Sequence, residues 1–185
     1  MISKATRGIF LMTVFAGLPF SGCDKQEKPS SSNSPIDSAK AGNPLPVGLF
    51  ATVEPANAKS VEEVKSHAKV GDAVVLRGRI GGSVSPFVEG RALFTLVGNG
   101  LKACSDNPED TCATPWDYCC ETADEIAKHS ATIQIVDLAG APLKADLRGQ
   151  HGIKELSEVV VVGKVVQAGE RATIISATSI FAAKP

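Results

Sequence analysis

Segments in which Val, Leu and Ile recur at every second position constrain the fold of this chain more than any other feature. In Ala73–Ile80, apolar residues alternate with positions that include Arg77 and Arg79. A period of two is typical of a β-strand that buries one face. The segment Glu158–Val166 is so rich in valine that we expect both of its faces to be buried. The sequence therefore predicts a mainly β domain with a single core.

Five strands are predicted from this pattern, and glycine-containing turns separate most of them. They are Ala73–Ile80, Arg91–Val97, Ala131–Leu138, Glu158–Val166 and Arg171–Phe181. A short helix is predicted over Val61–Ala68, because Ser60 and Glu63 have the spacing of a capping box. Thr122 and Glu125 repeat this spacing and predict a helical turn before the third strand. We also expect a short helical connection between the third and fourth strands.

Two glycine-interrupted stretches resemble the OB-fold. The first is Gly71–Ile80, with the pattern GD-x-V-x-L-x-G-x-I, and the second is Val159–Gly169 running into Thr173–Ile180. Both are similar to stretches of tRNA-anticodon-like OB proteins and of small exported bacterial OB proteins. The resemblance implies a five-stranded Greek-key barrel with a short N-terminal helix. In such a barrel Gly78 and Gly163 would let their strands coil sharply where the barrel closes.

An OB-fold binds oligonucleotides or oligosaccharides on a face built from its second and third strands. The resemblance places the following residues on or beside that face: Arg77, Arg79, Arg91, Phe94 or Thr95, Thr132 and Gln134. The plainer interpretation is that these side chains lie on the solvated side of a half-exposed sheet. From residue 60 to residue 185, 13 Lys and Arg stand against 16 Asp and Glu, a net charge near −3. This acidic balance disfavours nucleic acid as a partner.

Residues 98–130 are predicted to form a cysteine-rich insertion between the second and third strands. They contain Cys104, Cys112, Cys119 and Cys120. The stretch TPWDYCCE within them, together with GRIGG and PFVEGRA before them, resembles a group of bacterial lipoproteins that have no assigned activity. Trp116 and Tyr118 lie beside the cysteines. We interpret these two rings either as the small core of the insertion or as an aromatic anchor for a partner.

Two disulfides are the first interpretation of the four cysteines. An even number of cysteines in a short, loop-rich stretch of an exported protein is typical of a disulfide framework. A bond between the neighbours Cys119 and Cys120 is disfavoured because it would close a strained ring. The two connectivities left open are Cys104–Cys119 with Cys112–Cys120, and Cys104–Cys120 with Cys112–Cys119.

Two other interpretations of the cysteines do not involve a pair of structural disulfides. Four thiolates complete a tetrahedral zinc shell, and His129 is available as a spare ligand. The spacing C-x₇-C-x₆-C-C, however, lacks the paired knuckles of common structural zinc sites. The adjacent pair Cys119 and Cys120 is also a candidate redox switch, because a strained disulfide is easily reduced.

The N-terminal segment resembles a bacterial lipoprotein signal. Lys4 and Arg7 precede an apolar run that ends in the lipobox-like stretch FSGC, whose last residue is Cys23. The run is shorter than the roughly 18 apolar residues that span a bilayer, so we expect a processed signal over residues 1–22. Cleavage would leave Cys23 as the lipidated N-terminus. Residues 23–46 are rich in Ser, Pro, Asn and Lys and are predicted to form a disordered tether.

Residues 47–185 are left as one domain, and their sequence contains no G-x-S-x-G, H-E-x-x-H or phosphate-loop motif. We therefore predict neither an enzyme nor a cofactor. The expected protein is a binding or assembly module, anchored by its lipid on the non-cytoplasmic side of the cell envelope. Its expected partner is another envelope protein or an oligosaccharide. A metal or redox role for the cysteines is the main alternative, and binding of single-stranded nucleic acid is the other.

Overall fold

A computed structural model describes residues 43–183 of the chain. Five strands form its barrel: β2 (Ala73–Ile80), β3 (Leu93–Val97), β4 (Ser130–Gln134), β5 (Glu158–Gln167) and β6 (Ile174–Ala182). A short strand, β1 (Lys59–Ser60), and two helices, α1 (Val61–His67) and α2 (Ala123–Lys128), complete the elements used below. The strand order is β1-β2-β3-β4-β6-β5, and pairing of β5 with β2 closes the barrel. The prediction of a mainly β domain is confirmed.

The register of the strands decides which side chains enter the barrel. Neighbouring barrel strands are antiparallel except for β4 and β6, which run parallel with Ile133 opposite Ile175. The alternate residues Phe94 and Leu96 of β3 are fully buried with Ile133 in one continuous core. Residues of the opposite parity on β3 therefore point to the outside of the barrel.

Several strand ends differ from the predicted ones for local reasons. The fourth barrel strand in sequence, β5, matches its prediction closely, whereas β4 stops at Gln134 instead of Leu138. The side chain of Asp137 accepts hydrogen bonds from the backbone N–H groups of Ala139 and Ala141 and so turns the chain. Where a helical connection between β4 and β5 was expected, the structure has only a three-residue 3₁₀ turn at Gln150–Gly152, in which His151 has a left-handed φ of 47°.

Both predicted capping residues act as helix caps. The Ser60 hydroxyl accepts a hydrogen bond from the N–H of Glu63 at 3.1 Å. The Thr122 hydroxyl accepts one from the N–H of Glu125 at 3.2 Å. Because each cap satisfies a free N–H group of the first turn, these short helices begin where the sequence indicates.

Two glycines stand where strands approach each other too closely for a side chain. A Cβ atom at Gly78 would overlap the carbonyl oxygen of Val97 on the neighbouring strand. A Cβ atom at Gly163 would lie 2.5 Å from the carbonyl oxygen of Ser176, next to a shift in the register between β5 and β6. Glycine at these two positions is what lets the barrel close with this geometry.

The connection between β3 and β4, residues 98–129, packs on the outer wall of the barrel. A second small core forms there, apart from the interior of the barrel. Its buried members are Val97, Leu101, Ala103 and Tyr118, and Ile126 and Leu156 pack against them. Val97 has the outward parity on β3, so these residues cover the outside of that strand. The cysteines of this connection are thereby held against the barrel wall.

The expected signal, Cys23 and most of the expected tether lie outside the described residues. Between residues 43 and 183, no helix is both long enough and apolar enough to cross a membrane.

Candidate functional site

The four cysteines of the connection between β3 and β4 converge on one place, here called the cysteine cluster. It consists of Cys104, Cys112, Cys119 and Cys120. The Sγ atoms of Cys112 and Cys119 are 3.0 Å apart, and those of Cys104 and Cys119 are 3.6 Å apart. The sulfur atoms of Cys104, Cys112 and Cys119 all lie within 4.8 Å of one another. In a second set, the sulfur atoms of Cys104 and Cys120 and a carboxylate oxygen of Asp110 also lie within 4.8 Å of one another.

The expected pair of disulfides is not present in this structure, in which all four cysteines of the described residues are thiols. A disulfide requires an S–S distance of about 2.05 Å, so the separation of 3.0 Å between Cys112 and Cys119 is not a bond. Around a zinc ion with Zn–S bonds of about 2.3 Å, tetrahedral thiolates stand ~3.8 Å apart. The observed sulfur separations are closer to that spacing than to the length of a bond.

An ion pair with the barrel holds Cys104 in place. Cys104 begins a short 3₁₀ helix, Cys104–Asp106, and is only 5% exposed. The guanidinium of Arg79 on β2 donates two hydrogen bonds of 2.8 Å to the carboxylate of Asp106. These hydrogen bonds with Arg79 are the main reason that the pKa of Asp106 is lowered. The bidentate geometry fixes the orientation of the 3₁₀ helix on the barrel.

Aspartates two residues earlier in the chain orient Cys112 and Cys119. The side chain of Asp110 accepts a hydrogen bond from the N–H of Cys112 at 2.7 Å. Likewise, the side chain of Asp117 accepts one from the N–H of Cys119 at 2.9 Å. Thr114 donates a hydrogen bond of 2.7 Å to the second oxygen of Asp117. This Asp-x-Cys repeat is a local turn signal visible in the sequence, and our sequence analysis missed it.

Tyr118 reverses the chain just before the last two cysteines. It has a φ of 59°, a left-handed conformation that costs about 1–3 kcal/mol for a residue other than glycine. Its side chain is 1% exposed and belongs to the small core on the outer wall. Its hydroxyl has no hydrogen-bond partner among the described residues. Burial of the ring thus sustains the turn that presents Cys119 and Cys120 to the cluster.

The pKa values of three thiols of the cluster, those of Cys112, Cys119 and Cys120, are raised. Hydrogen bonds with Cys112 and then with Cys104 raise the pKa of Cys119 to about 12. Hydrogen bonds with Cys119 and then with Cys104 raise the pKa of Cys120 to about 11. For Cys112, the hydrogen bond with Cys119 lowers the pKa, but Asp110 and partial desolvation outweigh it and raise the pKa to about 11. These thiols are therefore protonated at neutral pH, and a bound cation would have to displace their protons.

The two arginines of β2 that were expected beside the ligand face are held in ion pairs. Arg77 forms ion pairs with Glu54 and Glu158. Arg79 is committed to Asp106, as described above. Each guanidinium therefore already has a carboxylate partner among the described residues.

The other residues expected on or beside the ligand face lie in the turn before β3, on β3 and on β4. Arg91 is exposed in the turn before β3. Thr132 and Gln134 are half-buried on β4, where Thr132 stands opposite Thr95. Phe94 is fully buried in the core. Thr95 and Thr132 are therefore neighbours across β3 and β4, whereas Phe94 faces the interior of the barrel.

Trp116, the other expected partner anchor, is not a member of the small core and instead contacts the segment around Val84. Its ring N–H donates a hydrogen bond of 3.0 Å to the carbonyl oxygen of Val84. It lines a cavity of about 420 Å³ together with Val84 and Val88, whose side chains are 64% and 44% exposed. Trp116 is half-buried and Tyr118 is buried, so these two rings do not form a common exposed surface.

His129, considered as a spare metal ligand, belongs to a different group of side chains. Its Nδ1 atom lies 2.7 Å from Oε1 of Glu62, and its Nε2 atom lies 3.7 Å from Oε2 of Glu125. Glu62 also accepts a hydrogen bond from the N–H of Gly100 at 3.3 Å. This group ties α1 to both ends of the connection between β3 and β4.

Replacing Glu62 with glutamine is expected to lower the free energy of unfolding by about 1 kcal/mol near neutral pH. Burial alone would raise the pKa of Glu62, but hydrogen bonds, first that with His129, lower it overall. A carboxylate with a lowered pKa stabilises the fold above its unfolded pKa, and this stabilisation is lost as the pH falls through the folded pKa. The difference from the parent, measured by urea unfolding, should therefore be constant from about pH 7 to about pH 5 and should shrink as the pH falls below the ordinary glutamate pKa of 4.5. Glu63→Gln, on the exposed side of the same helix, serves as the control, and an equal loss in both variants would contradict the assignment.

Comparison of the chain with protein-family models, with curated proteins and with solved structures gave no match. The class of site is therefore defined by its geometry, which is a cluster of thiols on the outer wall of a closed β-barrel.

Proposed function

We propose that this protein binds a thiophilic metal ion, of the zinc(II) or copper(I) class, through Cys104, Cys112 and Cys119. The observation that carries the proposal is the mutual approach of these three sulfur atoms to within 4.8 Å without a bond between them. Thiolates are soft ligands and favour zinc and monovalent copper over hard cations such as magnesium or calcium. The proposed role is binding, without a catalytic step.

The surroundings of the cluster support a site that is ordered before the metal arrives. Cys104 is buried and fixed through Arg79 and Asp106, while Asx turns orient Cys112 and Cys119. Ligands held in place by their neighbours lose little freedom on binding, which favours affinity. Cys119 is exposed, so an ion has direct access to the cluster from solvent.

The scaffold in this proposal is an OB-type barrel. Its strand arrangement supports a Greek key, because β2, β3 and β4 are consecutive antiparallel strands and β5 returns to lie beside β2. Residues 98–130 are then a cysteine-rich insertion between the second and third strands of the barrel. Lipid on Cys23, as proposed from the sequence, would hold the domain at the non-cytoplasmic face of a membrane of the cell envelope.

A second candidate function is the assembly role expected from the sequence. The exposed side chains of Val84 and Val88, beside Trp116, favour it because apolar and aromatic side chains are typical of interface centres. Binding of single-stranded nucleic acid or an oligosaccharide is less favoured, since the expected arginines are ion-paired. A redox switch at Cys119 and Cys120 is also less favoured, because the raised pKa values of these thiols leave little reactive thiolate.

The test is a metal titration of the purified, reduced full chain, kept free of oxygen. Zinc(II) and copper(I) are each added in competition with a chromogenic chelator, and intact mass is recorded before and after reduction. We expect bound metal, with affinity at least about 100-fold lower in Cys112→Ser and in Cys119→Ser, since loss of a ligand exceeds the effect of losing an outer contact. Glu109→Gln, which removes a charge from the same loop, is the control.

Two results would contradict the proposal. One is a chain that takes up neither metal ion after reduction. The other is a purified chain whose mass shows two disulfides and whose cysteine variants bind metal as tightly as the parent does.

A further inference from the structure

We infer that the cysteine cluster holds two metal ions that share the thiolate of Cys104. This inference rests on the proposed function and extends it from one ion to a pair. Cys104 belongs to both sets of donors described above, and no other residue does. The first ion would be bound by Cys104, Cys112 and Cys119, and the second by Cys104, Asp110 and Cys120.

The positions of the donors favour two sites over one. Each set brings three ligand atoms within 4.8 Å of one another, which is the spacing needed around a single ion. Cys120 is not part of the first set, although it follows Cys119 directly in the chain. Cys120 instead shares its set with Asp110, although its thiol also forms hydrogen bonds with those of Cys119 and Cys104. One tetrahedral ion has four positions, and the two sets together offer five donor residues.

Asp110 connects the two sets. Its Oδ1 atom accepts the hydrogen bond from the N–H of Cys112, which belongs to the first set. A carboxylate oxygen of the same residue lies within 4.8 Å of the sulfur atoms of Cys104 and Cys120 in the second set. The Asx turn that orients one ligand of the first ion therefore also delivers an oxygen ligand to the second.

The decisive measurement is the number of zinc ions bound per reduced full chain, read by native mass spectrometry and by metal analysis with zinc(II) as the only added metal. The parent chain is expected to bind two ions. Asp110→Asn and Cys120→Ser are each expected to bind one, because they remove a donor of the second set only. Asparagine retains the oxygen that accepts the N–H of Cys112, so the first set keeps its geometry. Both positions are at least partly exposed, and far-ultraviolet circular dichroism checks that each variant is folded.

The outcomes separate this inference from the proposed function. A parent chain that binds one zinc ion, with affinity lost in Cys112→Ser, overturns the inference and leaves the proposed function standing. A parent chain that binds none overturns both. Two zinc ions retained in Asp110→Asn and in Cys120→Ser would also overturn the inference, since neither residue would then hold the second ion.

Discussion

Replacing Cys104 with alanine is expected to abolish zinc binding by the reduced full chain. Cys112 and Cys120 each belong to a single set of donors, whereas Cys104 belongs to both sets. Without it, each set retains only two protein ligands, which is too few for a stable thiolate site. Competition with a chromogenic chelator should show a loss of affinity greater than about 100-fold, and mass spectrometry should show no bound zinc.

The choice of alanine and of the control keeps this result interpretable. Alanine removes the sulfur without introducing a hydroxyl, which at this buried position would need a hydrogen-bond partner. Ser105→Ala, at the exposed next position of the same 3₁₀ helix, should bind zinc as the parent does. Retention of even one tightly bound ion in a folded Cys104→Ala chain would refute the central role of this sulfur.

Replacing Gly78 with alanine is expected to lower the free energy of unfolding of the metal-free chain by about 2–3 kcal/mol. The new Cβ atom would overlap the backbone oxygen of Val97 and lie 3.0 Å from Cγ of Leu96. Backbone atoms of a paired strand have no alternative rotamer, so β2 and β3 would have to separate locally. Urea unfolding followed by circular dichroism measures the change.

Gly169→Ala is the matched control for this substitution. Gly169 lies in the turn between β5 and β6, and a Cβ atom there would meet only the carbonyl oxygen of Ala172, at 3.3 Å. We expect a change of less than about 1 kcal/mol at this position. Equal stability of the two alanine variants would show that the close approach at Gly78 is not what closes the barrel.

A bound metal ion would also keep these thiols from pairing as disulfides at the non-cytoplasmic location that we propose. Thiols outside the cytoplasm tend to form disulfides, and Cys112 and Cys119 are close enough for small movements to join them. Their raised pKa values keep the reactive thiolate scarce in the metal-free chain. In the filled site the thiolates would be engaged by the ion. The proposed function and the proposed location are therefore compatible.

Much of the barrel was predictable because its signals are local. Alternation in Ala73–Ile80 and the run of valines in Glu158–Val166 predicted β2 and β5 almost to the residue. The C-terminal end of β4 was less predictable, because the strand ends before a turn that the side chain of Asp137 forms with backbone N–H groups. The isolated pair β1–β2 was missed because two residues are too few to show a period.

The roles of the candidate ligand residues were less predictable, because their ion-pair partners lie far away in the chain. Arg77 and Arg79 have the outward parity of a ligand-binding strand, and that much is visible in the sequence. Their partners Glu158 and Asp106 are 81 and 27 residues away, so only the folded chain reveals that both arginines are ion-paired. The same applies to His129, whose contact with Glu62 spans 67 residues.

Local signals are sufficient to specify the β class of the domain, its helix starts and the confinement of four cysteines to one connection, because periodicity, capping and spacing act over a few residues. Which sulfur atoms meet was decided only by the tertiary structure. The ion pair between Arg79 and Asp106 and the burial of Tyr118 against the barrel fold that connection back on itself. Those contacts depend on strands that are distant in the chain, and no local rule specifies them.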